Sequence, residues 1–599
     1  MKILGISAYF HDSAVALIDS GEIVAAANEE RFTRVKQTPD FPQRSLDFCL
    51  DYAGLGIDEI DYVAFYDKPI RKFERLLETY YGKAPRGLAS FIKAMPPFVT
   101  NKLLLERTIK HELFQKRSYQ SKKPEIIFSD HHLSHGASAF YPSPFHEAAI
   151  LVMDAVGEWA TTTISHGNNG AITLKKQLDF PHSYGMLYSA FTAYLGFAVN
   201  RGEYKMMGLS PYGQAQGDAV AAMVAKIKEN LVVIYPDGSL WLDMSYFDYL
   251  IGDSMTNDKN WLALFGFPRR LPGQPINNNH VILALAIQRV LEEGVLAIAR
   301  HCKELTASDH LVLAGGVALN CVANGKLRQA EIFDSIWVQP AAGDAGGALG
   351  AALAAWHIFL GEKSVVTGKD RMAGSYLGPW YGGAEVEKVA RRYRASYTHF
   401  RSEEKLLAHV AKKISEGAVV GFFHGRMEWG PRSLGNRSIL ADPRDPGMQR
   451  RLNEKVKSRE SFRPFAPAML FDEAKKYFGL RQPSPYMFET AELLPEFRLA
   501  EETCASADLK ERLASVRSPF PAVTHVDYSS RIQTVAFEMN PRFYRLLCAF
   551  KEVSGLGMLV NTSFNGDDEP IVCTPDNAYQ AFRRLGLDLL VMGNYVFIG

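Results

Sequence analysis

The chain has few cysteines, and their spacing suggests no pairing. Its six, Cys49, Cys302, Cys321, Cys504, Cys548 and Cys573, are scattered and form no C-x-x-C. That spacing excludes a disulfide frame and a zinc–thiolate site, and it predicts a reduced interior. An excess of one charge is also missing: 67 basic residues stand against 66 acidic ones, for a formal net charge of +1. So balanced a chain has no global field for nucleic acid or an anionic membrane, although local basic patches stay open. Long apolar runs are absent too. The strongest candidate, "AGGALGAALAAWHIFLG" at 345–361, is short for a membrane span and rich in small residues, which suits a buried helix. The opening "MKILGISAYFHDS" is interrupted by His11 and Asp12, and reads as a first strand rather than a secretory signal. There is no low-complexity tract and no heptad run. These absences predict a cytoplasmic protein with neither a membrane nor a nucleic-acid partner.

What is present is long and ordinary in texture. At 599 residues, 47% hydrophobic, the chain exceeds one compact core; length predicts roughly two to four domains. "KILGISAYFHDSAVALIDSGEIVAAANEE" reads as strand, polar loop, strand, turn, strand, and "EAAILVMDAVGEWATTTISHG" at 147–167 repeats that plan. The repetition predicts a duplicated α/β domain with two facing loops. "HLVLAGGVALNCVANGKL" and "VQPAAGDAGGALGAALAAW" each read as a strand running through a glycine turn into a helix. Such turns collect ligands in open α/β sheets, and their backbone N–H groups can hold phosphate or ribose. Around 362–385 Gly, Pro and polar residues dominate, which places a boundary between domains 1–365 and 366–599.

"DHHLSHGASAF" at 130–140 sets three histidines within five positions. On a helix His131 and His135 share a face and can bind one ion, while His132 points elsewhere. Asp154 ends a strand and Asp344 is flanked by glycine at another strand end. Two His and two Asp suit a divalent iron, manganese or zinc ion; for Asp344 a helix cap is the alternative. No Glu separates the histidines, so a zinc-protease signature is absent. In "YFHDSA", His11 reads as a general base or as a donor to an acyl oxygen, and Asp12 and Ser13 as turn formers. Lys36 in "NEERFTRVK" by itself reads as solvated surface. The second domain carries Arg426, Arg432, Arg437 and Arg444, then Lys455, Lys457, Arg459 and Arg463, then Arg531, among glycines and apolar strands. Unpaired cations are costly to bury, so this pattern points to an oligo-anion such as nucleotide phosphates. Surface salt bridges are the alternative.

Together "HDSA", "EERFTRVK", "HHLSHGASAF", "MGLSPYG", "AGGVALN", "GDAGGALGAA", "GPRSLGNRSI", "KSRESFRPFAP" and "NTSFN" resemble, in order and along the whole chain, the nodulation-protein-type O-carbamoyltransferases. The tobramycin, cephem, novobiocin and saxitoxin carbamoylating enzymes are of this family. The resemblance implies an α/β first domain of the actin/Hsp70-like, threonylcarbamoyl-transferase-like kind, followed by a YrdC-like α+β domain. It implies that the second domain makes carbamoyl-adenylate from ATP, with Mg2+, and carbamoyl phosphate, and that the first passes the carbamoyl group to a hydroxyl of a small-molecule acceptor. On that resemblance His131, His135, Asp154 and Asp344 would bind Fe2+ or another divalent ion acting as a Lewis acid. His11 and Lys36 would lie beside the transferred group. Gly315, Gly316 and Asn320 would hold adenosine, with Gly157 and Gly343 on turns of the same nucleotide site. Arg432, Lys457, Arg531, Ser563 and Asn565 would form the adenylate-making site. A homodimer follows by family analogy only. Two departures stand out: Gln37-Thr38, where many relatives have His-Asp, and Tyr528, where glycine is expected and a positive φ would be strained.

Two other hypotheses share the fold. A tRNA N6-threonylcarbamoyl transferase would favour a basic face, against the balanced charge. A non-catalytic nucleotide-binding regulator would not need Lys457, Ser563, His131 and Asp344 intact.

Overall fold

The computed structural model describes residues 1–101, 104–114, 117, 123–363, 368–499 and 509–599. They divide into two compact units: Met1–Glu29 with Pro39–Arg371, and Glu30–Thr38 with Met372–Gly599. The expected boundary at 365/366 lies outside the described residues, as does Cys504. Where the expectation made each domain one continuous stretch, the short segment Glu30–Thr38 belongs to the second unit. The reason is local bonding. Arg31 donates to the Gly430 carbonyl at 2.8 Å, Arg34 donates to the carbonyls of Ile571 and Pro570 at 2.6 Å each, and Phe32 packs against Met427, Ile571 and Cys573. Charged donors on buried carbonyls are strong, directional bonds.

The first unit is a duplication, as the repeated pattern predicts. One sheet runs in the order Glu22–Asn28, Ala14–Asp19, Lys2–Ser7, Tyr62–Phe65, Glu125–Phe128. The other runs Ala171–Asp179, Ala160–Asn168, Glu147–Met153, His310–Ala314, Ser335–Val338. Both have the order third, second, first, fourth, fifth. In both the first three strands are antiparallel and the last two run parallel to the first. The inner parallel strands are almost wholly buried, as strands covered on both faces must be, while the edge strand Glu125–Phe128 is mostly half-exposed. After each fifth strand comes a helix, His131–Phe140 in one half and Asp344–Ala354 in the other. The two helices pack on each other, the first also on Glu147–Met153 and His310–Ala314, the second on Lys2–Ser7 and Ala14–Asp19. Glycine permits this contact. A Cβ on Gly350 would fall onto the Ser134 carbonyl oxygen, and one on Gly5 onto that of Ala348. The run at 345–361 is therefore a buried helix, and among the described residues no helix is long and apolar enough to cross a membrane.

The second unit is built on a mixed eight-stranded sheet: Tyr397–His399, Tyr595–Ile598, Leu589–Met592, Val420–Phe423, Arg437–Ala441, Met558–Ser563, Ala466–Met469, Gln533–Thr534. Strand periodicity separates two cores. Phe422, Leu440, Leu559 and Val591 pack with helices Glu403–Ser415 and Pro541–Ser554. Phe423, Ile439, Val560 and Leu590 pack on the other face with Gly383–Tyr393 and Pro575–Leu585. Tyr528 has φ 63°, the left-handed backbone that glycine would tolerate better. Its ring lies under the Arg498 guanidinium, 4.9 Å from the centroid.

Candidate active site

Equivalent positions of the two halves converge in the first unit. The loop after the first strand of the first half carries His11 and Asp12; its counterpart in the second half begins with Asp154. The helices after the fifth strands supply His131 and His135 from one half and Asp344 from the other. Each of these four, His131, His135, Asp154 and Asp344, offers one ligand atom, and those atoms lie within 4.8 Å of one another. His131 Nε2 is 3.0 Å from Asp154 Oδ2, and His135 Nε2 is 3.6 Å from Asp154 Oδ2 and from Asp344 Oδ1. His132 turns away, its Nδ1 3.2 Å from Thr163 Oγ1. His11 joins the rim, with Nε2 3.8 Å from Asp344 Oδ2 and Nδ1 3.0 Å from Asp12 Oδ2.

The backbone braces this group. Gly316 N–H donates to Asp154 Oδ1 at 3.0 Å, and Gly315 makes the turn at φ 89°, where a Cβ would strike the Met153 carbonyl. The Glu158 carboxylate accepts the His131 N–H at 3.1 Å and the Lys68 N–H at 2.8 Å, satisfying the first donor of the histidine helix. Glu158 was not among the predicted site residues. Its signal was a lone acid four positions after Asp154, which spacing alone does not mark.

The electrostatics suit a cation. Burial opposes charging of His135, yet bonds to Asp154 and Asp344 outweigh it and push its pKa up to about 9. Burial likewise opposes charging of His11, and Asp344 and Asp12 push it up to about 9. Burial works to raise Asp344 and Asp154, but the histidines hold Asp344 down to about 2 and Asp154 well below the usual carboxylate range. Two anions thus draw a proton onto the His135 ring, whose Nε2 would otherwise serve as a ligand. A buried His2Asp2 set converging on one point is a donor set that fits a divalent first-row ion. His132, by contrast, is pushed down to about 3 by burial and by His131, and stays neutral.

The second unit holds a cationic cluster. Lys457 is buried and donates to both the carbonyl and hydroxyl of Ser563 and to Asn565 O at 2.8 Å. Burial, then Arg459, Arg463 and Lys36, hold its pKa well below the ordinary lysine value, against Asp567. Arg463 donates to Asp567 Oδ1 at 2.8 Å, and Lys36 donates to the Asp567 carbonyl. Arg531 bears on Arg459 from strand Ser529–Arg531. Lys36, expected with His11 beside the transferred group, belongs with its segment Glu30–Thr38 to the second unit. Gln37 shares that segment, at φ 53° with its N–H on Glu30 Oε2, and Thr38 is buried. Arg432 stands on a separate loop, which buried Glu428 organises by accepting the N–H groups of Leu434, Asn436 and Arg437.

The expected nucleotide residues of the first unit have visible local duties. Asn320 caps helix Cys321–Gln329 through Ala323 N–H and bonds Gln288. Gly157 lies against His131 and His132, whose rings a Cβ would meet at 3.0–3.2 Å. Gly343 precedes Asp344 in extended backbone, where a Cβ would reach only Leu319, at 3.9 Å.

Two family profiles match this chain: the carbamoyltransferase N-terminus over residues 2–353 and the carbamoyltransferase C-terminus over residues 411–598. The chain belongs to the carbamoyltransferase family and is a carbamoyltransferase. It is 50% identical to an uncharacterized protein of Synechocystis sp., over 99% of this chain and 96% of that one. It is 34% identical to nodulation protein NolNO of Sinorhizobium fredii, over 98% of this chain and 79% of the relative. It is 32% identical to the 3'-hydroxymethylcephem-O-carbamoyltransferase of Amycolatopsis lactamdurans, over 52% of this chain and 53% of the relative. Among solved structures, component A of the (R)-2-hydroxyglutaryl-CoA dehydratase of Acidaminococcus fermentans matches 59% of this chain and 96% of its own, at 15% identity and a TM-score of 0.30, a likeness too loose to carry a fold assignment.

Proposed function

We propose that this carbamoyltransferase is an ATP-dependent O-carbamoyltransferase acting on a hydroxyl of a small molecule, with an actin/Hsp70-like first unit and a YrdC-like second unit. In the second unit carbamoyl phosphate and water give carbamate and phosphate. A carbamate oxygen then attacks the α-phosphorus of Mg2+-bound ATP, and pyrophosphate leaves. In the first unit the acceptor oxygen bonds to the carbamoyl carbon, AMP departs, and the hydroxyl proton goes to a base. The observation that carries the proposal is the setting of Lys457, buried with Lys36, Arg459 and Arg463 acting on it and Asp567 as the counter-charge. One buried and three half-buried cations, against Asp567 and Glu460, are stabilised by an oligo-anion such as a triphosphate.

In the first unit His131, His135, Asp154 and Asp344 would hold the divalent ion, Fe2+ by family resemblance, which supplies Lewis acidity at the phosphate or carbamoyl end. Glu158 and Gly316 hold the ligands in place. His11, on the rim and paired with Asp12, is the group placed to take the acceptor proton once a divalent ion neutralises Asp344, whose charge otherwise keeps the ring protonated. Gly315, Gly316, Asn320, Gly157 and Gly343 form the turns that would face the nucleotide.

The test is pyrophosphate release by the full-length protein with ATP and carbamoyl phosphate and no acceptor. Release that depends on carbamoyl phosphate supports the proposal, and His131→Ala should keep it while losing transfer. Absence of carbamoyl-adenylate from iron-loaded protein, with and without a panel of acceptors, would overturn it.

A further inference from the structure

The helix Pro69–Lys83 begins beside the His2Asp2 centre and turns a row of cations toward it. Lys68, Arg71, Lys72 and Arg75 lie at i, i+3, i+4 and i+7, so they share one face. The place of that face is fixed by two contacts. The Lys68 N–H and the His131 N–H donate to the same carboxylate, Glu158. Arg75 donates to the carbonyl of Gly157 at 2.7 Å, and Gly157 lies against the His131 and His132 rings.

The four cations are not equally neutralised. Lys68 pairs with Asp130 at 2.7 Å and Arg71 reaches the same carboxylate at 3.7 Å. Lys72 pairs with Asp67 at 2.5 Å. Among the described residues Arg75 has no carboxylate within ion-pair distance; its contacts are the Gly157 carbonyl and the Phe180 ring, 5.1 Å from the guanidinium carbon, while Glu158 and Asp67 act on it from farther off. A half-buried guanidinium whose direct contacts are neutral favours an anion. On the other side of Lys72 stands Phe10, 53% exposed, its centroid 6.0 Å from Lys72 Nζ and 4.5 Å from the His11 ring. Phe10 is thus an exposed aromatic face next to the base and next to a cation.

The geometry points to an acceptor subsite for a hydroxyl compound that carries an anionic group, phosphate or carboxylate, with the anion on Arg75 and Lys72 and the apolar face of the ring or chain on Phe10. It rests on the proposal above that the carbamoyl group changes hands at the His131–Asp344 centre. An aminoglycoside-like polycation would meet like charges here and be disfavoured. The opposite assignment, that this face holds the phosphate of the nucleotide, uses the same chemistry and is separated by experiment.

The experiment is equilibrium binding by calorimetry with the full-length protein, without ATP or carbamoyl phosphate, so that its result stands apart from whether carbamoyl-adenylate forms. The probes are glucose 6-phosphate, glucuronate, glucose and glucosamine, with AMP as the nucleotide arm. We expect at least one anionic sugar to bind about tenfold or more tighter than glucose, and glucosamine to bind no better than glucose. Arg75→Gln should remove that preference, Arg75→Lys should restore part of it, and Phe10→Ala should weaken anionic and neutral sugars alike. The wild-type selectivity needs no variant, so a poorly folding substitution does not decide the matter. Anionic sugars that bind no tighter than glucose would overturn the assignment. So would an Arg75→Gln protein that loses AMP affinity while keeping its preference for anionic sugars.

Discussion

The Nε2 atoms of His131 and His135 face each other at 3.2 Å, and Asp154 Oδ2 lies 3.0 Å from the first and 3.6 Å from the second. Two imidazole nitrogens gain nothing from such an approach unless a proton or a cation sits among them and the carboxylates.

Removal of one member should therefore remove the ion. His135→Ala or Asp344→Asn should lower affinity for a divalent metal by at least about 100-fold, beyond what loss of an outer partner costs. His132→Ala should change it far less, because that ring bonds Thr163. Metal titration by calorimetry and metal analysis of the purified proteins check this; a full complement of ion in Asp344→Asn would refute the assignment.

Gly350 tests how the site is assembled. Its missing side chain lets the helix bearing Asp344 lie on the helix bearing His135. Gly350→Ala should destabilise the first unit by about 3 kcal/mol or more through overpacking and should lower metal affinity as well. Urea unfolding followed alongside metal titration reads both. Retention of wild-type stability would mean that the helices part without cost.

Anions should stabilise the second unit. Pyrophosphate at about 100 times its Kd should add about 2.7 kcal/mol to the unfolding free energy. The increment should vanish in Lys457→Met, whose baseline fold is checked by circular dichroism. An undiminished increment in that variant would place the anion elsewhere.

His280 makes a pH prediction remote from both sites. Its Nδ1 accepts the Asn277 N–H at 3.0 Å, a bond that requires the neutral ring, and burial with Arg270 nearby pushes its pKa down to about 4. The unfolded ring titrates near 6.5. Below that value the unfolded chain binds the extra proton, so this stability is present above about pH 6.5 and lost as pH falls toward 4. His280→Gln should flatten the pH dependence of unfolding in that window by up to about 1.4 kcal/mol per pH unit. Parallel wild-type and variant curves would show that His280 does not titrate there.

The elements and much of the chemistry can be read along the chain. Period-2 apolar strands, glycine turns and the repeated strand–acidic-loop–strand plan gave the duplication, since burial on alternate or both faces leaves a pattern in one dimension. The H-x-x-x-H spacing put His131 and His135 on one helical face; a strand end marked Asp154 and a glycine-flanked strand end marked Asp344. Tyr528 was legible as a residue in a glycine's place, and φ 63° bears that out.

Which residues meet is set by packing in three dimensions. Lys36 reads along the chain as solvated surface; packing draws Glu30–Thr38 into the second unit, through bonds to carbonyls some 400 to 537 positions away that no local pattern announces. Glu158 becomes the brace of the histidine helix, and Arg75 a cation with no ion pair among the described residues, for the same reason. Hydrogen bonding and charge depend on distance in space, whereas periodicity records only which side of its own element a residue occupies.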